Sequence, residues 1–131
     1  MSTLVQCVWF KRDLRVLDHA PLAAAAERDT LLPIYIIEPK VIEAPDFDAM
    51  HWGFIRESLT CLQESLRELG VALQIVRGNA VDVLQGLHEQ YQFAELWAHE
   101  ETGNAITYAR DLAVGKWARE SGVAFHEIPQ N

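Results

Sequence analysis

The stretch VWFKRDLRVLDHAPL, residues 8–22, is where the fold is decided. Its opening residues complete an apolar run, LVQCVWF over Leu4–Phe10, which reads as a buried strand. The run then breaks into Lys11, Arg12, Asp13 and Arg15, three cations and a carboxylate within five residues of a hydrophobic core. Asp18 and Pro21 follow as a helix start, the first as a cap and the second in the first turn. APLAAAAER, Ala20–Arg28, carries that helix. A strand thus hands over to a helix through a charged loop.

The same alternation continues along the chain. LLPIYII, Leu31–Ile37, is a second apolar strand, with Pro33 a weak point in its first half. Glu38–Met50 holds Pro39, Pro45 and the acids Glu43, Asp46 and Asp48, and reads as a loop. From Trp52 to Leu69 the apolar residues fall at 52, 55, 59, 62, 66 and 69, a helix period closed by Gly70 as a left-handed cap. Val71–Val76 is strand three, Ala80–Tyr91 an amphipathic helix weakened by Gly86, and Phe93–Ala98 strand four. Asn104–Ser121 is a helix ended by Gly122, and Val123–Glu127 is strand five.

Parallel strands need crossover connections, so this order specifies a parallel sheet with helices on both faces. Strands covered twice are apolar almost throughout, as these are. The expected fold class is α/β, a doubly wound, Rossmann-like five-stranded parallel sheet in the order 3-2-1-4-5, one domain over residues 1–131. HEIPQN at the end is a strand followed at once by a proline turn, which looks like the edge of a domain from something longer.

The totals agree with one globular domain: 131 residues, half of them apolar and 23% charged. Acids outnumber lysine and arginine by 19 to 11, giving −8, which disfavours a direct grip on DNA phosphates by this chain alone. No apolar run approaches the ~20 residues of a membrane span, and the N-terminus lacks a signal-peptide shape. A cytoplasmic protein without membrane contact is the expectation. Cys7 and Cys61 form no C-x-x-C pair, and both are expected as buried free thiols.

In a doubly wound sheet, ligands sit outside the carboxyl ends of the strands. That rule selects four loops: Lys11–His19, Glu38–Met50, Arg77–Asn79 and His99–Gly103. Neither G-x-G-x-x-G nor G-x-x-x-x-G-K-[ST] occurs, and RGNA at 77–80 has one glycine, as an ordinary strand-to-helix turn does. H-E-x-x-H and G-x-S-x-G are also missing, and no catalytic residue is expected. The histidines at 19, 51, 88, 99 and 126 have no ligand spacing, so no metal site is expected. Arg12, Asp13 and Arg15 admit two readings. Exposed pairs would contribute ~0–1 kcal/mol. Forks buried under a second domain would cost ~3–5 kcal/mol to break.

At these residues the chain resembles a known family. WFKRDLRVLDHAPL, 9–22, is similar to the opening motif of DNA photolyases and cryptochromes, W-F-R-R-D-L-R-x-x-D-N-x-A-L. Trp9, Phe10, Arg12, Asp13, Leu14, Arg15, Asp18 and Leu22 match, while Lys11, His19 and Pro21 depart from it. LLPIYIIEP (31–39) resembles the family's second strand with its carboxylate and proline. FIRESLTCLQESLRELGVALQIVRGN (54–79) resembles its long helix, third strand and glycine turn. ELWAHEETGNAITYARDLAVGKW (95–117) resembles the segment with its R-D pair, here Arg110 and Asp111, in a version closer to bacterial photolyase-related proteins. The resemblance covers the family's N-terminal α/β domain.

It implies a parent whose helical C-terminal domain holds FAD, the tryptophan electron chain and the DNA-binding surface, with this chain inactive alone. The parent would be a light-dependent lyase that splits pyrimidine dimers, or a blue-light receptor. The N-terminal domain in such proteins helps hold an antenna pigment, and Lys11, Arg12, Asp13, Glu38 and Glu101 are the candidate anchors. Ile106 and Thr107 replace the Asn-Glu pair of folate-using relatives, which favours a deazaflavin, a lumazine or no pigment over a folate. Arg12, Asp13 and Arg15 become docking groups for the C-terminal FAD-binding domain. The tryptophans at 9, 52, 97 and 117 fit core positions. Two other readings stand beside this one: a stand-alone nucleotide-binding module of the HUP class, or an interaction domain with an empty cleft.

Overall fold

In the computed structural model the described residues are 5–11, 13–16, 19–26, 30–43, 49–101 and 105–129, with the backbone alone at 49–51. Five strands, β1 (Val5–Phe10), β2 (Thr30–Ile37), β3 (Gln74–Arg77), β4 (Glu95–His99) and β5 (Ala124–Ile128), pair in parallel in the order β3-β2-β1-β4-β5. The helices are α1 (Ala20–Ala26), α2 (Pro39–Ile42), α3 (Ala49–Glu68), α4 (Ala80–Tyr91) and α5 (Ala105–Ser121). The expected topology is the observed one.

The side-chain period of two sorts the sheet into two cores. Cys7 and Trp9 of β1, Leu32, Ile34 and Ile36 of β2, and Leu96 and Ala98 of β4 face one layer with Leu84 of α4 and Val114 and Trp117 of α5. Val8, Phe10, Tyr35 and Trp97 face the other layer with Leu22 of α1 and Leu59, Leu62 and Leu66 of α3. Burying a large aliphatic side chain contributes about 1.5–3 kcal/mol, and both layers hold many. Pro33 is accommodated because β3 pairs with β2 only from Ile34 onward, so no ladder bond is lost on that side.

Three local details differ from the sequence reading. Part of the expected loop Glu38–Met50 is helical. Pro39 stands at the first position of α2, where a missing N–H costs nothing and its fixed φ suits the helix, and α3 begins at Ala49. Cys61 is exposed while Cys7 is buried. The stripe Leu59, Leu62, Leu66 turns toward the sheet and leaves position 61 outside. β3, β4 and β5 start one to three residues later than their apolar runs, since the first residues of each run still belong to the turn. Gly70 closes α3 as expected, at φ 85°, with the Val71 N–H bonded to the Leu66 carbonyl at 3.0 Å.

Candidate functional site

Two groups of charged side chains form where β1, β2 and β4 end. The first centres on Asp13. Its Oδ1 accepts the Lys11 backbone N–H at 2.7 Å, and its Oδ2 lies 2.6 Å from His99 Nδ1 and 2.5 Å from His19 Nε2. His19 Nδ1 in turn accepts the Leu22 N–H at 3.0 Å. His19 is therefore the residue that caps α1, the role expected of Asp18, which lies outside the described residues. The accepting Nδ1 puts the ring proton on Nε2, the atom beside Asp13. Asp13 is 2% exposed. Burial alone would raise its pKa, but the bonds from His19, His99 and the Lys11 N–H hold the carboxyl well below its ordinary range.

Asp13, His19 and His99 bring potential ligand atoms within 4.8 Å of one another, a grouping that spacing in the chain did not reveal. The donor set suits a latch better than a metal. A cation at His19 Nε2 would need the ring proton moved to Nδ1, where it would meet the Leu22 N–H. The latch ties the loop after β1 to the end of β4 and the start of α1.

The second group centres on Arg110 of α5. Its Nη1 donates to Glu38 Oε1 at 3.1 Å, its Nη2 donates to Glu101 Oε1, and its Nε lies 3.1 Å from Asp111 Oδ1. Lys11 Nζ reaches the same Asp111 oxygen at 3.2 Å and the His99 carbonyl at 3.1 Å. Lys11 Nζ and Arg110 Cζ stand 4.5 and 4.8 Å from the centre of the Trp9 ring, so the aromatic core floor carries both cations. Two cations thus face three carboxylates. Burial, with Glu101 and Asp111 beside it, pushes the Glu38 carboxyl up to about 7 against the pull of Arg110 and Lys11.

Beside this network lies a cavity of about 470 Å³. Glu38 and α2 form one wall, the Gly78–Asn79 turn and the start of α4 a second, and Ile106, Ala109, Arg110 and Ala113 of α5 the third. Small side chains make it a slot. Gly78 permits the close turn: its φ is 149°, its N–H bonds the Ile37 carbonyl at 2.9 Å, and a Cβ there would meet Val83 at 3.1 Å. Asn79 caps α4 by accepting the Val81 N–H at 3.0 Å.

Of the sequence candidates, Lys11, Glu38 and Glu101 meet around Arg110 and Asp111, and only Glu38 lines the cavity among them. Asp13 belongs to the latch instead, and Arg12 lies outside the described residues. Arg15 is exposed, beside a groove formed by α1, Leu69 and Pro129. Arg110 and Asp111 were noted as a pair but not as site residues; their signal was the helical spacing of 106, 109, 110 and 113. His19 and His99 carried no such signal.

The sheet and its cavity define a doubly wound α/β domain with an open slot at the carboxyl ends of the strands. Comparison with known proteins narrows the class. The chain belongs to the DNA photolyase family, whose model matches residues 6–131, and it corresponds to the N-terminal domain of photolyases and cryptochromes. It is 33% identical over 119 residues to the cryptochrome DASH of Gloeobacter violaceus, covering 86% of this chain and 24% of that protein. A bacterial class III photolyase from Agrobacterium tumefaciens superposes with a TM-score of 0.88 at 25% identity, over 98% of this chain and 26% of that one. An archaeal photolyase from Sulfolobus tokodaii, described with two FAD molecules and an implied light-harvesting cofactor, gives 0.86 at 26% identity, over 96% and 29%. The chain spans about a quarter of the length of these relatives. Among the described residues, no helix is long and apolar enough to cross a membrane.

Proposed function

We propose that this domain holds a flat antenna pigment in the slot between α2, α4 and α5, and serves a larger light-driven flavoprotein. The single observation that carries the reading is the 470 Å³ cavity, apolar along most of its wall with the Glu38–Arg110 pair at one end. Its volume falls within the range of ligand pockets, and its lining is the apolar kind with few polar anchors. A bound pigment supplies absorption and passes excitation on through space, so the protein has only to keep it rigid. The latch at Asp13 and the ion network on Trp9 supply that rigidity. A deazaflavin or a lumazine fits the absence of the folate-type Asn-Glu pair, at Ile106 and Thr107, better than a folate does.

The partner in this reading is a C-terminal FAD-binding domain, which would carry the photochemistry, either the splitting of pyrimidine dimers or signalling. Arg12 and Arg15 are the docking groups toward it, with Asp13 fixing the shape of the loop that presents them. The acidic total of −8 leaves any contact with DNA phosphates to that partner. The family match and the structural neighbours disfavour a stand-alone nucleotide-binding module.

Titration of the chain with 5-deazariboflavin and with 6,7-dimethyl-8-ribityllumazine, followed by pigment fluorescence, tests the pigment reading. Saturable micromolar binding that is lost on widening Ala109 to Trp is the expected result. Failure of both pigments to bind, with ATP binding instead, would overturn it.

A further inference from the structure

Arg110 and Glu38 are an unusual pair for a cavity wall. The Arg110 side chain is 9% exposed and that of Glu38 13%, and both residues line the slot. The ion pair between them uses one N–H of Nη1 and one oxygen, Oε1. Arg110 directs Nη2 at Glu101, while its Nε, 3.1 Å from Asp111 Oδ1, makes no hydrogen bond, and a second N–H on each terminal nitrogen has no partner among the described residues. Glu38 Oε2 likewise has none. A spare donor on Arg110 and a spare acceptor on Glu38 therefore belong to a pair whose bonded atoms are 3.1 Å apart, on a cavity wall that also carries Lys40 and Asn79 and is otherwise apolar. A ring amide presents the complementary order, a carbonyl oxygen next to an N–H.

The charges around this end are close to balance: Glu38, Glu101 and Asp111 stand against Arg110 and Lys11, and Lys40 of α2 lines the cavity as well.

Resting on the pigment reading above, we propose that Glu38 and Arg110 recognise the ring-amide edge of a fused heterocycle, Glu38 accepting its N–H and Arg110 donating to the adjacent carbonyl. The groups facing Glu38 are Arg110 and Asp111 from α5, Glu101 from the loop after β4 and Lys11 from the loop after β1. Their balance puts the Glu38 carboxyl at about 7, so acceptance of the N–H strengthens as the pH rises through neutrality.

Riboflavin and 3-methylriboflavin, which differ only in whether the ring N–H is present, are the probes, titrated into the full chain by fluorescence. Methylation is expected to weaken binding about ten- to hundredfold, the effect of leaving a buried polar group unmatched. From about pH 6 to about pH 8, riboflavin affinity should rise roughly tenfold, the ratio of ionised Glu38 for a group titrating near 7. Glu38→Gln, its fold checked by far-UV circular dichroism, should remove that pH dependence. Equal binding of the two flavins, or a pH-flat affinity in the wild type, would overturn the amide-edge assignment and leave the pigment site standing. If neither flavin, nor the deazaflavin, nor the lumazine binds, the pigment site falls and the assignment falls with it.

Discussion

Asp13, buried, and Glu38, partly buried, are carboxylates on segments leaving the carboxyl edge of the sheet, yet their acidities move in opposite directions. Burial raises both. Asp13 then receives hydrogen bonds from His19, His99 and the Lys11 N–H, and no second carboxylate enters the balance. Glu38 has Arg110, which it shares with Glu101 and Asp111, and more distant help from Lys11. The cost of burying a carboxylate is thus set by how many donors it can claim for itself. A fully satisfied carboxylate holds a fold together, whereas a partly satisfied one beside a cavity can still take a partner.

The strongest way to break the comparison is Asp13→Ala. Three donors lose their acceptor inside the protein, and the expected loss is about 3–5 kcal/mol in urea denaturation. A loss below about 1 kcal/mol would mean the latch is dispensable. His19→Ala removes one of those donors and the α1 cap together, for about 1–2 kcal/mol. His19→Asn, which restores the residue usual in the family motif, should recover the cap and lose less than His19→Ala. Equal losses would show that the cap contributes little.

The pH profile sharpens the contrast further. Asp13 is depressed in the folded state, so its contribution is present above its ordinary value of 3.8 and is lost as the pH falls below it. Glu38 is raised, so the folded state holds its proton more tightly. Its contribution is full below the ordinary 4.5 and is lost as the pH rises through about 7. Urea midpoints should therefore decline on both sides of a maximum near pH 4–5 as far as these two groups govern it. Glu38→Gln should flatten the upper slope alone. Its effect below pH 4.5 should be the smallest of the set, within about 1 kcal/mol, because a neutral acid is replaced by a neutral amide of the same shape.

Much of this molecule was legible before any side chain was placed. The apolar runs near Phe10, Ile37, Val76, Ala98 and Glu127 marked five strands, and the stripe from Trp52 to Leu69 marked α3 with Gly70 as its end, though Leu69 itself lies exposed. The strand-end rule then picked the loops that hold Lys11, Glu38 and Glu101. Pro39 was misread, because a proline that breaks a helix interior is the same residue that begins α2. Cys61 was misplaced, because leucine neighbours in sequence are not neighbours on a helix. His19 caps α1, since a ring nitrogen can also accept an N–H.

Periodicity is a property of neighbouring residues, so element type, sheet class and the edge that carries the site follow from residue order alone. The meeting of particular side chains does not. Lys11 reaches Asp111 across 100 residues, Asp13 reaches His99 across 86, and Arg110 reaches Glu38 across 72. Those distances close only after β4 is laid beside β1 and α5 is folded back over the sheet. Chain packing therefore settled which carboxylate became a latch and which was left facing a cavity.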